Sequence, residues 1–387
     1  MRDTRLENLF PTDTPIARER LIGRAGAVDE LVEAVRGGQN RVLIGPRRIG
    51  KTSTCEAVIA EVAGAGWYVG GVDAMRLEDA GELARELTRS LLANRPAIHR
   101  VVRRGVEAWR DLTERSRAEL RVELGEGVSV AWELGRSAGD PAPDLDAAFS
   151  LAQRLAEADR RQVLVFVDEV SELASDRFGR ADVVLGKARA AFQRSPDVRF
   201  RLAGSYEHSM REIFAAEGSP LGRFGGIFKL PPIARADWLD GLGARFGEAA
   251  MAVSDDQLAE LLDWSEGHPY ATMLGAGEIY LAAREVGAER VDEVAIRLGL
   301  ERAMARERAN HERLVERLRS SSRYAVPVLE RIAIGERPYG GGLRAAQVQR
   351  AIRAAQRIGL VERGDDGRWA LTDPLLRRFL AARAAGA

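Results

Sequence analysis

The sequence predicts an α/β protein with a parallel β-sheet, followed by an all-helical segment and a small C-terminal domain with short strands. Up to about residue 230, apolar runs of strand length alternate with amphipathic runs of helical length, which is typical of strands joined by crossover helices. The strongest strand signal, residues 163–167, is apolar throughout, as expected for a strand buried on both faces. Strand signals disappear after residue 233, and helical periodicity continues over about 236–318.

The elements of the α/β part are predicted from glycines that end helices and turns and from the period of the apolar residues. Gly37 and Gly38 end the first amphipathic helix, because glycine terminates helices readily. Alternating polar and apolar residues on both sides of Gly125 and Gly127 indicate a β-hairpin. The predicted order is helix 27–35, strand 41–44, a helix from near residue 51, strand 67–73, helix 78–92, hairpin 119–133, helix 145–158, strand 162–167, helix 182–192 and strand 198–203.

Composition limits the class of protein. The single cysteine, Cys55, cannot form a disulfide within the chain, which fits a reducing compartment. The first residues lead into no apolar signal segment, and the longest apolar runs are too short to span a bilayer. We therefore expect a cytoplasmic protein that does not associate with membranes.

Charge favours no single class of partner for the whole chain, because 58 basic and 58 acidic residues balance. From Ser321 onward, however, 12 arginines accompany 6 acidic residues, a local balance of +6. Such an excess is typical of a solvated face and also of a surface that contacts phosphate groups. Both interpretations stay open.

Residues 45–52 carry the clearest functional signal. They match the pattern G-x-x-x-x-G-K-[ST] in full, between a predicted strand and a predicted helix. In such a loop, glycines let backbone N–H groups surround phosphates, and the next helix adds partial positive charge. Lys51, one of only three lysines, would reach the β- and γ-phosphates, and the Thr52 hydroxyl would bind Mg²⁺. We expect ATP and Mg²⁺ here, with nucleotide contacts from Gly45, Pro46, Arg47, Arg48, Ile49, Gly50, Lys51, Thr52 and Ser53.

A phosphate loop needs a carboxylate at the end of a nearby strand. Asp168 and Glu169 directly follow the most apolar strand, although an acidic pair there is also a common helix cap. We expect Asp168 to hold Mg²⁺ together with Thr52, and Glu169 to polarise the attacking water. Ser205 follows the strand at 198–203. If that strand lies between the strands of the two motifs, Ser205 can orient the water or contact the γ-phosphate; otherwise it is a turn serine.

With these residues in place, the chain resembles the STAND branch of the AAA-like ATPases, and most closely the archaeal-type ATPases. The phosphate loop has the sequence typical of that family, and three further segments occur in the family's order along the chain. Residues 21–24 resemble the segment that contacts the base, with Ala25 in place of the family's glutamate. Residues 220–223 resemble an element placed just before the linker, and residues 267–269 resemble the G-x-P motif of the helical lid.

The resemblance implies a P-loop ATPase core over residues 1–232, with the hairpin as an insertion, and a helical lid over residues 233–320. It also implies nucleotide contacts from Arg24, His268 and Pro269. Arg223 is then a candidate arginine finger, acting within the chain or across a subunit contact. A chance surface arginine is the alternative in a chain with 55 arginines, and a structural role is the alternative for His268.

Residues 321–387 resemble a winged-helix domain. The segment 335–342 is too short and glycine-rich for the usual middle helix of a helix-turn-helix, which argues against sequence-specific DNA recognition. The predicted elements are helices over about 323–334 and 344–358, a two-stranded wing over 360–372 that turns at 364–367, and a final helix from Asp373 and Pro374.

Three functions are consistent with these motifs. The first is a slow ATP-hydrolysing switch that relays its nucleotide state through the lid to the winged helix, and from there to a protein partner or a second copy. The second is a DNA-binding ATPase resembling origin-recognition proteins, which share this domain order. It is favoured by the C-terminal charge and by Arg344, Arg350, Arg353 and Arg357 on one helix, which would bind DNA weakly. The third, a scaffold that holds ATP structurally, conflicts with the intact phosphate loop and acidic pair.

Overall fold

A five-stranded parallel sheet forms the centre of the N-terminal part of the chain. Its strands are β1 (Arg41–Ile44), β2 (Tyr68–Asp73), β5 (Val163–Asp168), β6 (Val198–Gly204) and β7 (Gly226–Lys229), in the order β2-β5-β6-β1-β7. The α/β class and the parallel sheet are therefore confirmed. The computed structural model describes residues 4–95, 118–125, 128–134, 142–179, 181–205, 210, 213–214, 221–222, 224–340, 342–364 and 366–386.

Helices cover both faces of this sheet. One face packs on α2 (Ala25–Arg36) and α3 (Lys51–Gly64), where Cys55 is fully buried. The other face packs on α4 (Ala80–Leu92), α5 (Ala142–Asp159) and α6 (Ala181–Arg194). Because both faces are covered, all six residues of β5 are buried, which explains its continuous apolar run. The antiparallel pair β3 (Ala118–Gly125) and β4 (Val128–Leu134) lies between α4 and α5 in the chain.

Four helices, here called the helical region, follow the sheet: α7 (Arg235–Glu248), α8 (Asp255–Ser265), α9 (Pro269–Glu285) and α10 (Glu293–Ser321). Side chains cap three of them, since Ser254, His268 and Asp292 accept hydrogen bonds from the first turns of α8, α9 and α10. The short first helix, α1 (Thr4–Leu9), packs here too. Phe10 contacts Phe246 and Tyr280 at ring-centroid distances of 5.0 and 5.9 Å.

The C-terminal region consists of α11 (Ala325–Ala333), α12 (Ala345–Arg357), the antiparallel strands β8 (Val361–Arg363) and β9 (Trp369–Leu371), and α13 (Pro374–Ala385). Asp373 caps α13 by accepting hydrogen bonds from the N–H groups of Leu375 and Leu376, at 2.8 and 3.2 Å. Between α11 and α12, no helix forms over the described residues 335–340 and 342–344.

Helix α10 belongs to both the helical region and the C-terminal region. Ile296, near its start, lies in the hydrophobic core of the helical region. Ala303 packs with Leu375 of α13, and Val315 and Leu318 lie in the core of the C-terminal region. A single helix of 29 residues, about 43 Å long, therefore connects the two cores.

Within the ranges given above, no helix combines the length and the apolar character that crossing a bilayer requires.

Candidate functional site

The phosphate loop joins the carboxyl end of β1 to the first turn of α3. Gly50, the last residue before α3, has φ of 94°, a left-handed conformation that suits glycine. Arg48 has φ of 62°, which costs a residue with a Cβ atom about 1 kcal/mol or more. Because the sheet is parallel, the carboxyl ends of β5 and β6 lie at the same edge as this loop.

The first turn of α3 contacts the end of β5 through Thr52 and Asp168. Thr52 Oγ1 donates a hydrogen bond of 3.0 Å to Asp168 Oδ2. Burial raises the pKa of Asp168, and the neighbouring Glu169 carboxylate raises it further. A hydroxyl beside a carboxylate that carries unfavourable negative charge is a donor set that fits Mg²⁺. Thr52 and Asp168 are therefore the residues that would hold this ion.

A directed chain of hydrogen bonds links Lys51, Ser205 and Glu169. Lys51 Nζ donates to Ser205 Oγ at 2.7 Å and to the carbonyl oxygens of Gly45 and Pro46 at 3.0 and 2.9 Å. Ser205 in turn donates through both its hydroxyl and its N–H group to the two carboxylate oxygens of Glu169. All three protons of the ammonium group are thus engaged within the protein.

These hydrogen bonds depend on the sheet order, because β6 lies between β1 and β5. The strand before Ser205 thus lies between the strands of the two motifs. Ser205 is a neighbour of both Lys51 and Glu169, as expected if it orients the water or contacts the γ-phosphate. Lys51 is 5% exposed, and burial lowers the pKa of its ammonium group although Glu169 and Asp168 act in the opposite direction. A buried cation of this kind is stabilised by anionic oxygens.

Arg24 connects the phosphate loop to the segment that follows β7. Its guanidinium donates to the carbonyl oxygens of Pro231 and Ile49, the latter at 2.9 Å. The residue is 2% exposed, and burial lowers its pKa to about 10. In the structure Arg24 fixes the phosphate loop to the segment after β7; the base contact expected from the resemblance stays a prediction.

His268 contacts the loop from the helical region. Its Nε2 lies 3.2 Å from the carbonyl oxygen of Arg47, and its Nδ1 accepts from the N–H group of Ala271 at 3.5 Å. Because Nδ1 accepts, Nε2 carries the proton and donates to Arg47. Burial lowers the pKa of His268, which agrees with this neutral form. Pro269 is the first residue of α9, a position that suits proline.

A cavity of about 380 Å³ lies where these elements meet. Gly45, Pro46 and His268 are not among the residues that line it: the carbonyls of Gly45 and Pro46 accept from Lys51, and His268 contacts the carbonyl of Arg47. Arg223 and the segment 215–220 fall outside the described residues. The predicted site residues that line the cavity are Arg24, Arg47, Arg48, Ile49, Gly50, Lys51, Thr52, Ser53, Asp168, Glu169, Ser205 and Pro269.

Sequence reasoning missed several cavity residues. Asp73 ends β2 in register with Asp168, and a carboxylate after a strand was the signal already used for Asp168. Tyr270 and Met273 lie on α9 just after the G-x-P segment and line the cavity together with the N-terminal segment 11–16. No local pattern marks these positions, since only the fold brings them to the loop.

The sheet order and the loop give this chain the fold of the P-loop ATPases. It is similar to the Walker-type ATPase of Pyrococcus abyssi, with 19% identity, a TM-score of 0.71, and coverage of 96% of this chain and 99% of that one. It is also similar to the ORC2 protein of Aeropyrum pernix in ADPNP–ADP complexes, with 16% identity, a TM-score of 0.60, and coverage of 100% and 97%. The ORC1 protein of Aeropyrum pernix in complex with DNA follows, with 16% identity, a TM-score of 0.51, and coverage of 97% and 96%. No protein-family model and no curated protein matches the chain.

Proposed function

We propose that this chain is a cytoplasmic ATP-binding and ATP-hydrolysing switch of the STAND type. The contact between Thr52 and Asp168 supports the proposal most directly, because it joins the phosphate loop to an acidic strand end with a donor set suited to Mg²⁺. The similarity in fold to a Walker-type ATPase and to an ORC2 protein in ADPNP–ADP complexes is consistent with it.

Each residue has a distinct task in the proposed reaction. Lys51, once released from the loop carbonyls, holds the negative charge of the β- and γ-phosphates. Mg²⁺, when bound, neutralises charge on the phosphate oxygens. Glu169 accepts a proton from the attacking water as the water oxygen bonds to the terminal phosphorus and the bond from that phosphorus to the bridging oxygen breaks, which leaves ADP and phosphate. Ser205, bonded to both Lys51 and Glu169, positions these two groups relative to each other.

The same geometry supports slow turnover. Both carboxylate oxygens of Glu169 accept hydrogen bonds from Ser205. Glu169 itself has φ of 47°, a strained conformation for a residue with a side chain. Each carboxylate oxygen still has a second lone pair, but the attacking water must fit beside the Ser205 groups that already donate to Glu169. Hydrolysis is therefore expected to be slow until nucleotide rearranges these hydrogen bonds.

The helical region and the C-terminal region complete the proposed switch. The helical region acts as a lid, since His268 and Pro269 lie against the loop, and the C-terminal region acts as a winged-helix domain that follows it. We further propose that the output passes to a protein partner or to a second copy of the chain. Arg223 remains a proposed arginine finger, within the chain or across such a contact.

The direct test is Mg²⁺-dependent phosphate release from ATP by the full chain and by two matched variants. Asp168→Asn keeps the size of the side chain at the end of β5 and removes its charge, so hydrolysis should fall at least about tenfold. Asp197→Asn makes the same change just before β6, at the opposite edge of the sheet, and should leave the rate unchanged. Equal rates in the two variants, or no turnover by the wild-type chain, would reject the proposed hydrolysis.

DNA binding is the second candidate function, and one observation favours it. Arg350, Arg353 and Arg357 on α12 are exposed, and no carboxylate in the described part of the chain forms an ion pair with any of them. Spacings of three and four residues place them on one helix face, where they can neutralise DNA phosphates. The similar ORC1 protein was solved in complex with DNA.

Fluorescence anisotropy with labelled duplexes at low and physiological salt tests this candidate. Replacing Arg350, Arg353 and Arg357 by alanine should abolish binding, because the phosphate contacts are lost. Replacing the exposed Arg297, Arg308 and Arg317 of α10 removes the same charge elsewhere and should have little effect. Sequence-specific binding that survives added salt would instead favour the origin-recognition type of function over the switch.

A further inference from the structure

Arg48 of the phosphate loop is held by residues of the helical region. Its guanidinium carbon lies 3.9 Å from the centre of the Tyr270 ring, within the range of a cation–π contact. Its Nη1 donates to Glu307 Oε2 at 3.2 Å. The left-handed backbone at Arg48, with φ of 62°, accompanies this arrangement. The Arg48 side chain therefore extends from the phosphate loop into the helical region.

Glu307 is built into α10 as an acceptor for this cation. Its side chain is only 4% exposed, and a carboxylate at that depth is stable only when it is paired. Tyr270 donates to its Oε1 at 2.6 Å, and Asn310 donates to both oxygens at 3.2 and 3.3 Å. Burial alone would raise the pKa of Glu307, but the Tyr270 hydrogen bond and the Arg48 charge outweigh it, so the pKa lies below its ordinary value.

The position of Glu307 on α10 connects it to the C-terminal region. His311 lies one turn further along, and its ring is 5.3 Å from that of Phe379 on α13. The same helix then enters the core of the C-terminal region through Val315 and Leu318. The contact between Arg48 and Glu307 therefore fixes the phosphate loop to the helix that links the helical region and the C-terminal region.

We propose that Arg48 is the residue through which this chain distinguishes a nucleoside triphosphate from a diphosphate, because the terminal phosphate and the Glu307 carboxylate compete for its guanidinium. The inference rests on the proposed nucleotide site. Arg48 lines the cavity, and an arginine fork binds phosphate and carboxylate with the same geometry. With a diphosphate bound, Arg48 stays on Glu307 and fixes α10 to the loop. With a triphosphate bound, Arg48 turns to the terminal phosphate and α10 is released.

The test measures the dissociation constants of ADP and of a non-hydrolysable ATP analogue, and compares their ratio between variants. Glu307→Gln removes the competing charge and keeps the shape, so triphosphate preference should rise about fivefold or more. Arg48→Gln should lower the preference by a similar factor. In the double variant the preference should equal that of Arg48→Gln alone, because Glu307 acts only through Arg48. Glu312→Gln, an exposed position on the same helix, is the matched control and should change nothing.

Tyr270→Phe provides a second, milder variant whose effect has the opposite sign to that of Glu307→Gln. It keeps the ring beside Arg48 and removes one hydrogen bond from Glu307. The carboxylate then depends more on Arg48, so triphosphate preference should fall about twofold or more. Hydrogen exchange in α13 should differ between the two nucleotides in the wild-type chain and should no longer differ in Glu307→Gln.

The outcomes separate this inference from the proposed site itself. A wild-type chain that binds neither nucleotide would reject the site. If all three proteins (wild type, Glu307→Gln and Tyr270→Phe) bind nucleotide normally and with the same preference, the competition for Arg48 is rejected and the nucleotide site is not. An effect of Glu307→Gln that persists in the Arg48→Gln background would show that Glu307 acts by another route, and would also overturn the inference.

Discussion

Thr52 and Asp168, which are 116 positions apart in the chain, are joined by a hydrogen bond of 3.0 Å between the hydroxyl and the carboxylate. The contact spans the width of β6, since Thr52 follows β1 and Asp168 ends β5. The phosphate loop and the acidic strand end thus form one site, and the sheet order is the reason that they meet.

Lys51→Ala should abolish ATP binding without unfolding the chain. The ammonium group is buried and its pKa is lowered by that burial, so its removal relieves a desolvation cost in the absence of nucleotide. ATP at about 100 times its dissociation constant should stabilise the wild-type chain by roughly 2.7 kcal/mol and the variant not at all, as measured by thermal unfolding. Lys187→Ala, which breaks only a surface ion pair with Asp146, should keep the full stabilisation. Normal ATP turnover in Lys51→Ala would remove the basis for the proposed function.

Glu169→Gln should retain ATP and Mg²⁺ binding but hydrolyse ATP on the order of a hundredfold more slowly. The amide keeps the size of the side chain and can still accept from Ser205, but it cannot take a proton from water. Single-turnover hydrolysis and equilibrium nucleotide binding measure the two effects separately. Glu172→Gln, three residues further on, is the matched control. If Glu169→Gln turned over normally, the proton acceptor would be another cavity residue, and Asp73 would be the first to test.

ATP should protect residues 236–285 of the helical region from hydrogen exchange, whereas α10 should gain no protection, because a bound triphosphate releases it from Arg48. His268 contacts the carbonyl of Arg47, and Pro269 lines the cavity, so nucleotide in the loop is expected to order the start of α9. Hydrogen exchange with and without ATP, with Lys51→Ala as the negative control, measures the effect. Protection confined to residues 45–52 would show that the helical region does not close over the nucleotide.

The folded chain should lose stability as the pH falls below about 6.5, in part through His268. Burial lowers the pKa of His268 in the folded state, although Asp373 and the Arg47 carbonyl oppose this. The unfolded chain therefore binds more protons between the two pKa values, so this contribution is complete above the unfolded pKa and decreases below it. His268→Asn keeps a capping oxygen for α9 and removes the titrating group.

Denaturant unfolding at pH 5.5 and 7.5 checks this expectation: the wild-type chain should lose more stability than His268→Asn. Burial also lowers the pKa of His311. A parallel variant that replaces His311 separates its contribution to the pH dependence from that of His268. A larger loss in His268→Asn than in the wild-type chain would contradict the assigned neutral form.

The α/β core was predictable because its signals are local. The strand expected at residues 162–167 is found at Val163–Asp168, since a strand buried on both faces leaves a continuous apolar run. The phosphate loop and its acidic partner were identifiable because the chemistry restricts both residue type and spacing.

Contacts between distant segments were not predictable. Arg48 and Glu307 are 259 positions apart, and neither side chain departs from the local helix or loop pattern. Likewise, Leu9 and Phe10 pack in the helical region, not on the sheet, although the boundary at residue 232 placed them with the core. An apolar residue near a chain start indicates burial, but nothing in the sequence specifies which surface covers it.

The way in which α10 enters two cores bears on how this chain can be dissected. Val315 and Leu318 are each 2% exposed only because the C-terminal region covers them. A protein ended at Ser320 would present these side chains to water and would invite self-association. Loss of DNA binding or altered turnover after such a truncation would then report aggregation as readily as a missing function. Point substitutions on α12 and at Glu307 avoid this ambiguity, because they leave the shared helix and both of its partners in place.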